Sequence, residues 1–274
     1  MLIEFIKLIG LTVIIVLIAK YVLVILLRRF AETLHLGAKA VGNIAGMTTS
    51  VPELLTVSFS ALGGFLGTSL FNIVSSNSIN IVLYMATILA NKNGRYLKNK
   101  AIKIDLFMVG VTILIPIFMV IGNKEISIGI VPILLILFVI GYFMNYNAHK
   151  LYVTDAMQEE KNETKNHNAN GKHIAIYSIL LIVTGTVLFI VGEGLHMVLE
   201  NLTLHFQIPE FILGILLGVV TSIPELITFF ESQRHNQGNS QHGVIEATNN
   251  LLTSNLFNLC IIQSIGIMIY AMVK

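Results

Sequence analysis

The sequence is short of the groups that build most soluble folds. It contains a single cysteine, Cys260, which excludes any internal disulfide and reads as a small apolar packing residue. Charged residues make up 12% of the chain, where soluble globular domains carry roughly 25%. The net charge of +2 excludes the strongly basic surface that a nucleic-acid partner would require. What fills the chain instead is apolar: a hydrophobic share of 55% and a mean hydropathy of +0.80 over 274 residues mark an integral membrane protein. The stretch 8–27 already supplies the roughly 20 apolar residues that a helical span needs. It is longer than the apolar region of a signal peptide, and it is read as a retained span.

At least seven comparable runs follow. Helical spans are expected near 5–27, 40–62, 68–90, 104–122, 126–147, 174–199, 208–231 and 249–273, giving an all-α polytopic membrane protein of about eight transmembrane helices. The connections between them alternate in charge. Arg28, Arg29 and Lys39 lie in the first, Lys92, Arg95, Lys98, Lys100 and Lys103 in the third, Lys150, Lys161, Lys165 and Lys172 in the fifth, and Arg234 in the seventh; the even connections hold only Lys124. The positive-inside rule then predicts a multi-pass protein of the cell membrane with its N-terminus outside and the odd connections in the cytoplasm. The one long polar segment, within 148–173, has no apolar periodicity and reads as a flexible cytoplasmic linker. It separates a first half, 1–147, from a second, 174–274.

Each half carries the same polar pattern where hydrocarbon should be. Thr49-Ser50-Val51-Pro52-Glu53 recurs as Thr221-Ser222-Ile223-Pro224-Glu225, and Asn72-Ile73-Val74-Ser75-Ser76-Asn77-Ser78-Ile79-Asn80 as Asn250-Leu251-Leu252-Thr253-Ser254-Asn255-Leu256-Phe257-Asn258. By the loop charges the second span runs outward and the seventh inward, so the two copies cross the bilayer in opposite directions. Inverted repeats of this kind place their sites near the midplane. Pro52 and Pro224 lack the amide donor and displace the carbonyls of Thr48 and Val220 from the helix ladder. A carboxylate at a helix centre costs about 2.5–3.5 kcal/mol on insertion scales, so Glu53 and Glu225 require an offsetting positive charge. Ser76 with Asn80, and Ser254 with Asn258, stand four apart on one helix face each. The donors in the pattern are all oxygen, with no histidine or thiolate, which suits hard cations such as Ca²⁺ and Na⁺ and disfavours copper or zinc.

At these residues the chain resembles the sodium/calcium exchanger family of the calcium/cation antiporter superfamily, in which the two patterns form the α-repeats, here near 40–90 and 212–273. The resemblance implies an inverted-repeat exchanger architecture and an ion site made of Gly46, Thr49, Ser50, Glu53, Ser76 and Asn80 with Gly218, Thr221, Ser222, Glu225, Ser254 and Asn258. It implies that the glutamates hold Ca²⁺ and share Na⁺ sites with the neighbouring hydroxyls, carbonyls and amides. Three features depart from the family pattern. Ten helices are usual, and this chain stops about one helix after the second repeat, as a short member lacking the last two helices, completed by a second copy in a homodimer, or as a truncated sequence. Asn80 and Asn258 stand where relatives often carry Asp. Glu53 and Ser76 are 23 residues apart but Glu225 and Ser254 are 29 apart, and the extra hydrophilic stretch 233–242 is expected to form a cytoplasmic loop.

The expected function is therefore transport rather than catalysis, with no cofactor. Ca²⁺ and Na⁺ are the expected partners, exchanged by alternating access at one midplane site. Two other readings use the same residues: a cation/proton exchanger with the glutamates as proton carriers, with H⁺ or K⁺ as the moving ion, and a non-transporting membrane subunit descended from an exchanger.

Overall fold

A computed structural model describes residues 2–23, 25–26, 29–30, 47–121, 128–152, 171–235 and 240–274. Apolar side chains dominate every long stretch, so helices that satisfy their own backbone are the only economical structure. No strand occurs among the described residues. Helix α1 covers Leu2–Ile18 and runs on through a π turn, Ala19–Leu23. Helices α2 (Val51–Leu62) and α3 (Leu66–Ala90) meet at a tight turn. In that turn Gly64 takes φ +79°, a left-handed conformation open mainly to glycine. Helices α4 (Lys100–Ile121), α5 (Val131–Tyr152) and α6 (Gly171–Glu200) follow, the last ending in a π turn, Asn201–His205. The seventh expected span is two helices, α7 (Glu210–Thr221) and α8 (Ile223–His235). The eighth is α9 (Ser240–Phe257), a π turn (Asn258–Ile262) and α10 (Gln263–Val273).

Seven stretches, 2–23, 66–90, 100–119, 128–150, 175–205, 210–233 and 243–273, are long and apolar enough to cross a membrane. The second expected span, 40–62, is represented by the shorter α2, and residues 40–46 at its start lie outside the described residues. So does most of the expected linker. The expectation of a loop over 233–242 is corrected: 233–235 extend α8, 240–242 open α9, and only 236–239 lie outside the described residues. The reason is local. Gln233 is buried, donates from Nε2 to Thr87 Oγ1 (2.8 Å) and accepts from Asn93 Nδ2 (3.1 Å), so the start of the hydrophilic insertion is tied to α3 and to the turn just beyond it.

Two larger apolar clusters and a small one, Val57, Ile73 and Ile262, form the interior of the described residues. One of the larger two joins α1, α6 and α7 through Leu8, Ile15, Leu195, Leu202, Leu213 and Leu217; the other joins α3, α4, α5, α8 and α9 around Tyr84, Val109, Leu134, Phe229 and Leu251. Side chains such as Ile133, Val139 and Phe143 on α5 and Ile182 and Ile190 on α6 point outward. An apolar exterior of this extent fits a hydrocarbon surround. Helix α7 lies along α3, and two glycines set that distance. A Cβ on Gly214 would stand 2.6 Å from the Thr68 carbonyl oxygen, and one on Gly218 would stand 2.5 Å from that of Asn72. This is the small-xxx-small contact by which membrane helices approach closely.

Polar groups clasp α4 to α5 as well. Asp105, fully buried, accepts from Asn145 Nδ2 at 3.0 Å through Oδ1 and lies 2.7 Å from His149 Nε2 through Oδ2. Removing one side of such a buried pair strands the other and costs roughly 3–5 kcal/mol. Asp105→Ala is accordingly predicted to lower the melting temperature of the purified protein by many degrees; an unchanged melting temperature would show that the clasp contributes nothing.

Candidate cation site

Both proline motifs break their helices at the same place. Helical residues 47–49 stop at Ser50 (φ −84°, ψ 5°), and α2 starts with Val51 and Pro52; α7 stops at Ser222 (φ −77°, ψ 0°), and α8 starts with Ile223 and Pro224. Proline is tolerated in a first helical turn because the amide it lacks would have no partner there. The break turns Glu53 and Glu225 inward from the first turns of α2 and α8. The Val220 carbonyl displaced by Pro224 is used by the cap at Ser222.

The side chains then pair across a local two-fold axis. Ser76 donates to Glu53 Oε1 at 2.8 Å, and Ser254 donates to Glu225 Oε1 at 3.3 Å. Each of these serines meets a hydroxyl from the opposite repeat: Ser50 Oγ lies 2.9 Å from Ser254 Oγ, and Ser222 Oγ lies 3.1 Å from Ser76 Oγ. Thr221 stands beside Glu53 and Thr49 beside Glu225, again across the axis. Asn80 Nδ2 donates to Asn255 Oδ1, and Asn258 Nδ2 donates to Asn77 Oδ1, both at 3.1 Å. On the axis itself Asn77 and Asn255 exchange bonds: Nδ2 of Asn77 reaches the Asn255 carbonyl at 3.2 Å, and Nδ2 of Asn255 reaches the Asn77 carbonyl at 3.1 Å. Farther out, Asn72 Nδ2 donates to Thr56 Oγ1 as Asn250 Nδ2 does to Thr228 Oγ1.

This network uses donors and leaves acceptors. Glu53 Oε2 and Glu225 Oε2, Asn72 Oδ1 and Asn250 Oδ1, and Asn80 Oδ1 and Asn258 Oδ1 are buried and accept no hydrogen bond. Six oxygens in three symmetry-related pairs are too regular for chance, since buried polar atoms are nearly always paired. A hard cation is the ligand that satisfies oxygen acceptors without bringing its own acceptor. Among the described residues no cluster of three or more His, Cys, Asp or Glu side chains exists, so the charge here comes from two carboxylates only.

Of the residues expected in the site, Thr49, Ser50, Glu53, Ser76, Asn80, Thr221, Ser222, Glu225, Ser254 and Asn258 are brought together and fully buried. Gly46 lies outside the described residues. The Gly218 carbonyl accepts from Ser222 Oγ at 2.8 Å, and the missing side chain of Gly218 admits α3. Sequence reasoning quoted Asn72, Asn77, Asn250 and Asn255 in the repeated pattern without placing them among the site residues, and passed over Thr56 and Thr228. The available signal was recurrence: each residue type reappears at its matching place in the second repeat.

No curated protein sequence matches the chain. Among solved structures, the sodium-calcium exchanger NCX_Mj soaked with 10 mM Na⁺ and zero Ca²⁺ is 22% identical, with a TM-score of 0.52 over 98% of this chain and 84% of that one. The same exchanger soaked with 10 mM Na⁺ and 10 mM Sr²⁺ is also 22% identical, with a TM-score of 0.51 over 98% of this chain and 83% of that one. At this identity the likeness speaks for the fold. The family described as sodium/calcium exchanger protein matches residues 4–147 and 176–274, both halves of the chain without the stretch between them. The chain belongs to the sodium/calcium exchanger protein family.

Proposed function

We propose that the chain is a secondary-active antiporter of the cell membrane that exchanges Na⁺ for Ca²⁺ by alternating access at one site near the midplane. The observation that carries this reading is the set of six buried acceptor oxygens, two of them carboxylate, that accept no hydrogen bond. Ca²⁺ is held mainly between Glu53 and Glu225, with the amide oxygens of Asn80 and Asn258 completing the shell. Na⁺ competes for the same oxygens, aided by the hydroxyls of Thr49, Ser50, Thr221 and Ser222. An ion-free site resists switching, because two uncompensated carboxylates cross a closed, dry state only at high cost. That condition couples the two fluxes. The two-fold exchange of bonds between the repeats lets the same oxygens face either side in turn, with N-terminus outside and the 148–173 linker in the cytoplasm.

The test is ion flux in proteoliposomes holding the full chain. An outward Na⁺ gradient is expected to drive Ca²⁺ uptake, and replacing Na⁺ by K⁺ to stop it. Uptake driven by a pH gradient with Na⁺ absent would replace this reading with cation/proton exchange. Well-folded protein that moves no cation under any gradient would assign the chain to a non-transporting role.

A further inference from the structure

Among the described residues, Ser69 and Gln263 are further buried polar side chains without hydrogen-bond partners, and they have no counterpart in the repeat symmetry. Ser69 on α3 and Gln263, the first residue of α10, are fully buried, and Ser69 Oγ and both Gln263 Oε1 and Nε2 make no hydrogen bond. They are neighbours. The point that a Cβ on Gly266 would occupy lies 2.9 Å from Ser69 Oγ and 3.9 Å from Gln263 Nε2, with Val57 Cγ1 at 2.7 Å. Val57 stands one turn after Glu53 on the same face of α2, and Ser69 stands two turns before Ser76 on the same face of α3. Seven residues at 1.5 Å each put the pair about 10 Å along α3 from the carboxylate site, toward the end where α3 begins. The π turn Asn258–Ile262 leads directly into Gln263, and such single-turn π segments recur at functional sites.

We propose that Ser69 and Gln263 form a neutral binding stop for a partly hydrated monovalent cation on its way to or from the carboxylate site. The chemistry of the pair selects the ligand. Ser69 Oγ and Gln263 Oε1 are hard oxygen donors suited to an alkali cation, and Gln263 Nε2 can donate only to something that accepts, which one of the cation's own waters does. Without a carboxylate the pair is a poor match for Ca²⁺, whose affinity depends on ligand charge. A cation that sheds part of its water here meets the glutamates partly dehydrated. The stop rests on the antiport reading for its place in the transport path, but not for its ligand.

Crystals of the full chain grown with Tl⁺ and without Ca²⁺ test it. An anomalous peak is expected between Ser69 Oγ and Gln263 Oε1 in wild-type protein, lost in Gln263→Leu and weakened in Ser69→Ala. A wild-type map without that peak overturns the proposal, whether or not the glutamates bind Tl⁺. A peak at Ser69 and Gln263 with none at Glu53 and Glu225 overturns the central-site reading instead and leaves the stop standing. Stability separates binding from packing. In Tl⁺-free and Na⁺-free buffer Gln263→Leu is expected to melt at or above the wild-type temperature, because the unpaired amide is replaced by a side chain needing no partner; a clear drop would make Gln263 a packing residue and overturn its role. In proteoliposomes the same variant is expected to slow exchange about tenfold, the order of effect that loss of one hydrogen-bonding ligand gives, with Ca²⁺ binding at equilibrium within twofold of wild type.

Discussion

Glu53→Gln, and equally Glu225→Gln, is expected to reduce Na⁺-driven Ca²⁺ flux to background while leaving the protein folded. The geometry says why the substitution is selective. Ser76 donates to Glu53 Oε1, so the oxygen of a glutamine must occupy that position to keep the bond. Its NH₂ group then falls where Glu53 Oε2, an acceptor without a donor, now stands. A donor replaces an acceptor, and one of two negative charges disappears. Loss of one partner from a buried charged contact costs roughly 2–5 kcal/mol, and about 1.4 kcal/mol is tenfold in affinity. The same exchange at Glu225 keeps the bond from Ser254 in the same way. In the absence of Ca²⁺ the glutamine variants are expected to melt no lower than wild type, since a costly buried charge has been removed. Added Ca²⁺ should raise the melting temperature of wild type but not of the variants. Coupled flux surviving in either variant would remove Glu53 and Glu225 from the centre of the site.

Gly218→Ala is expected to be nearly as damaging, although no ligand atom is changed. The new Cβ would lie 1.9 Å from Ser75 Oγ, 2.5 Å from the Asn72 carbonyl oxygen and 2.8 Å from the Ser76 amide nitrogen. The hydroxyl can rotate away, but the two backbone atoms cannot. Relief requires α7 and α3 to separate by about 1 Å, up to ordinary contact distances. Because Asn72 and Ser76 hold site atoms on the same turns of α3, the separation pulls Ser76 away from Glu53 and Ser222. A displacement of about 1 Å in a positioned site can cost roughly a hundredfold in rate, so flux should fall by that order. Gly185→Ala is the control, since nothing lies within 4 Å of its added Cβ. Flux in Gly218→Ala within twofold of wild type would show that the α3–α7 contact does not set the site.

Much of this was legible before any fold was known. Proline and glutamate side by side in an apolar run occur for a reason, and the second copy at matching offsets pointed to a site rather than to an accident of packing. The spans near 68–90, 104–122, 126–147 and 174–199 lie close to the observed helices, because in hydrocarbon an apolar run of sufficient length has no alternative to helix. At 233–235 the expected loop is helix for a physical reason too: polarity marks exposure in most chains, whereas Gln233 has three polar partners at Thr87, Asn91 and Asn93 inside the fold.

The sequence by itself determined the solvent, the helical class, the two glutamates and the oxygen chemistry around them, since each follows from residue type and from the recurrence of residue types along the chain. Only the tertiary structure decided which atoms remain open. Hydrogen-bond donors of Ser76, Asn80, Asn255 and Asn258 are consumed by partners up to 182 residues away, and it is that long-range pairing that leaves Glu53 Oε2, Glu225 Oε2 and four amide oxygens without donors. Likewise Gly218 was a candidate ligand in the sequence and is a point of helix contact in space. Neither Ser69 nor Gln263 carries a local mark of any role, because a lone serine or glutamine says nothing until packing buries it beside another group with no partner.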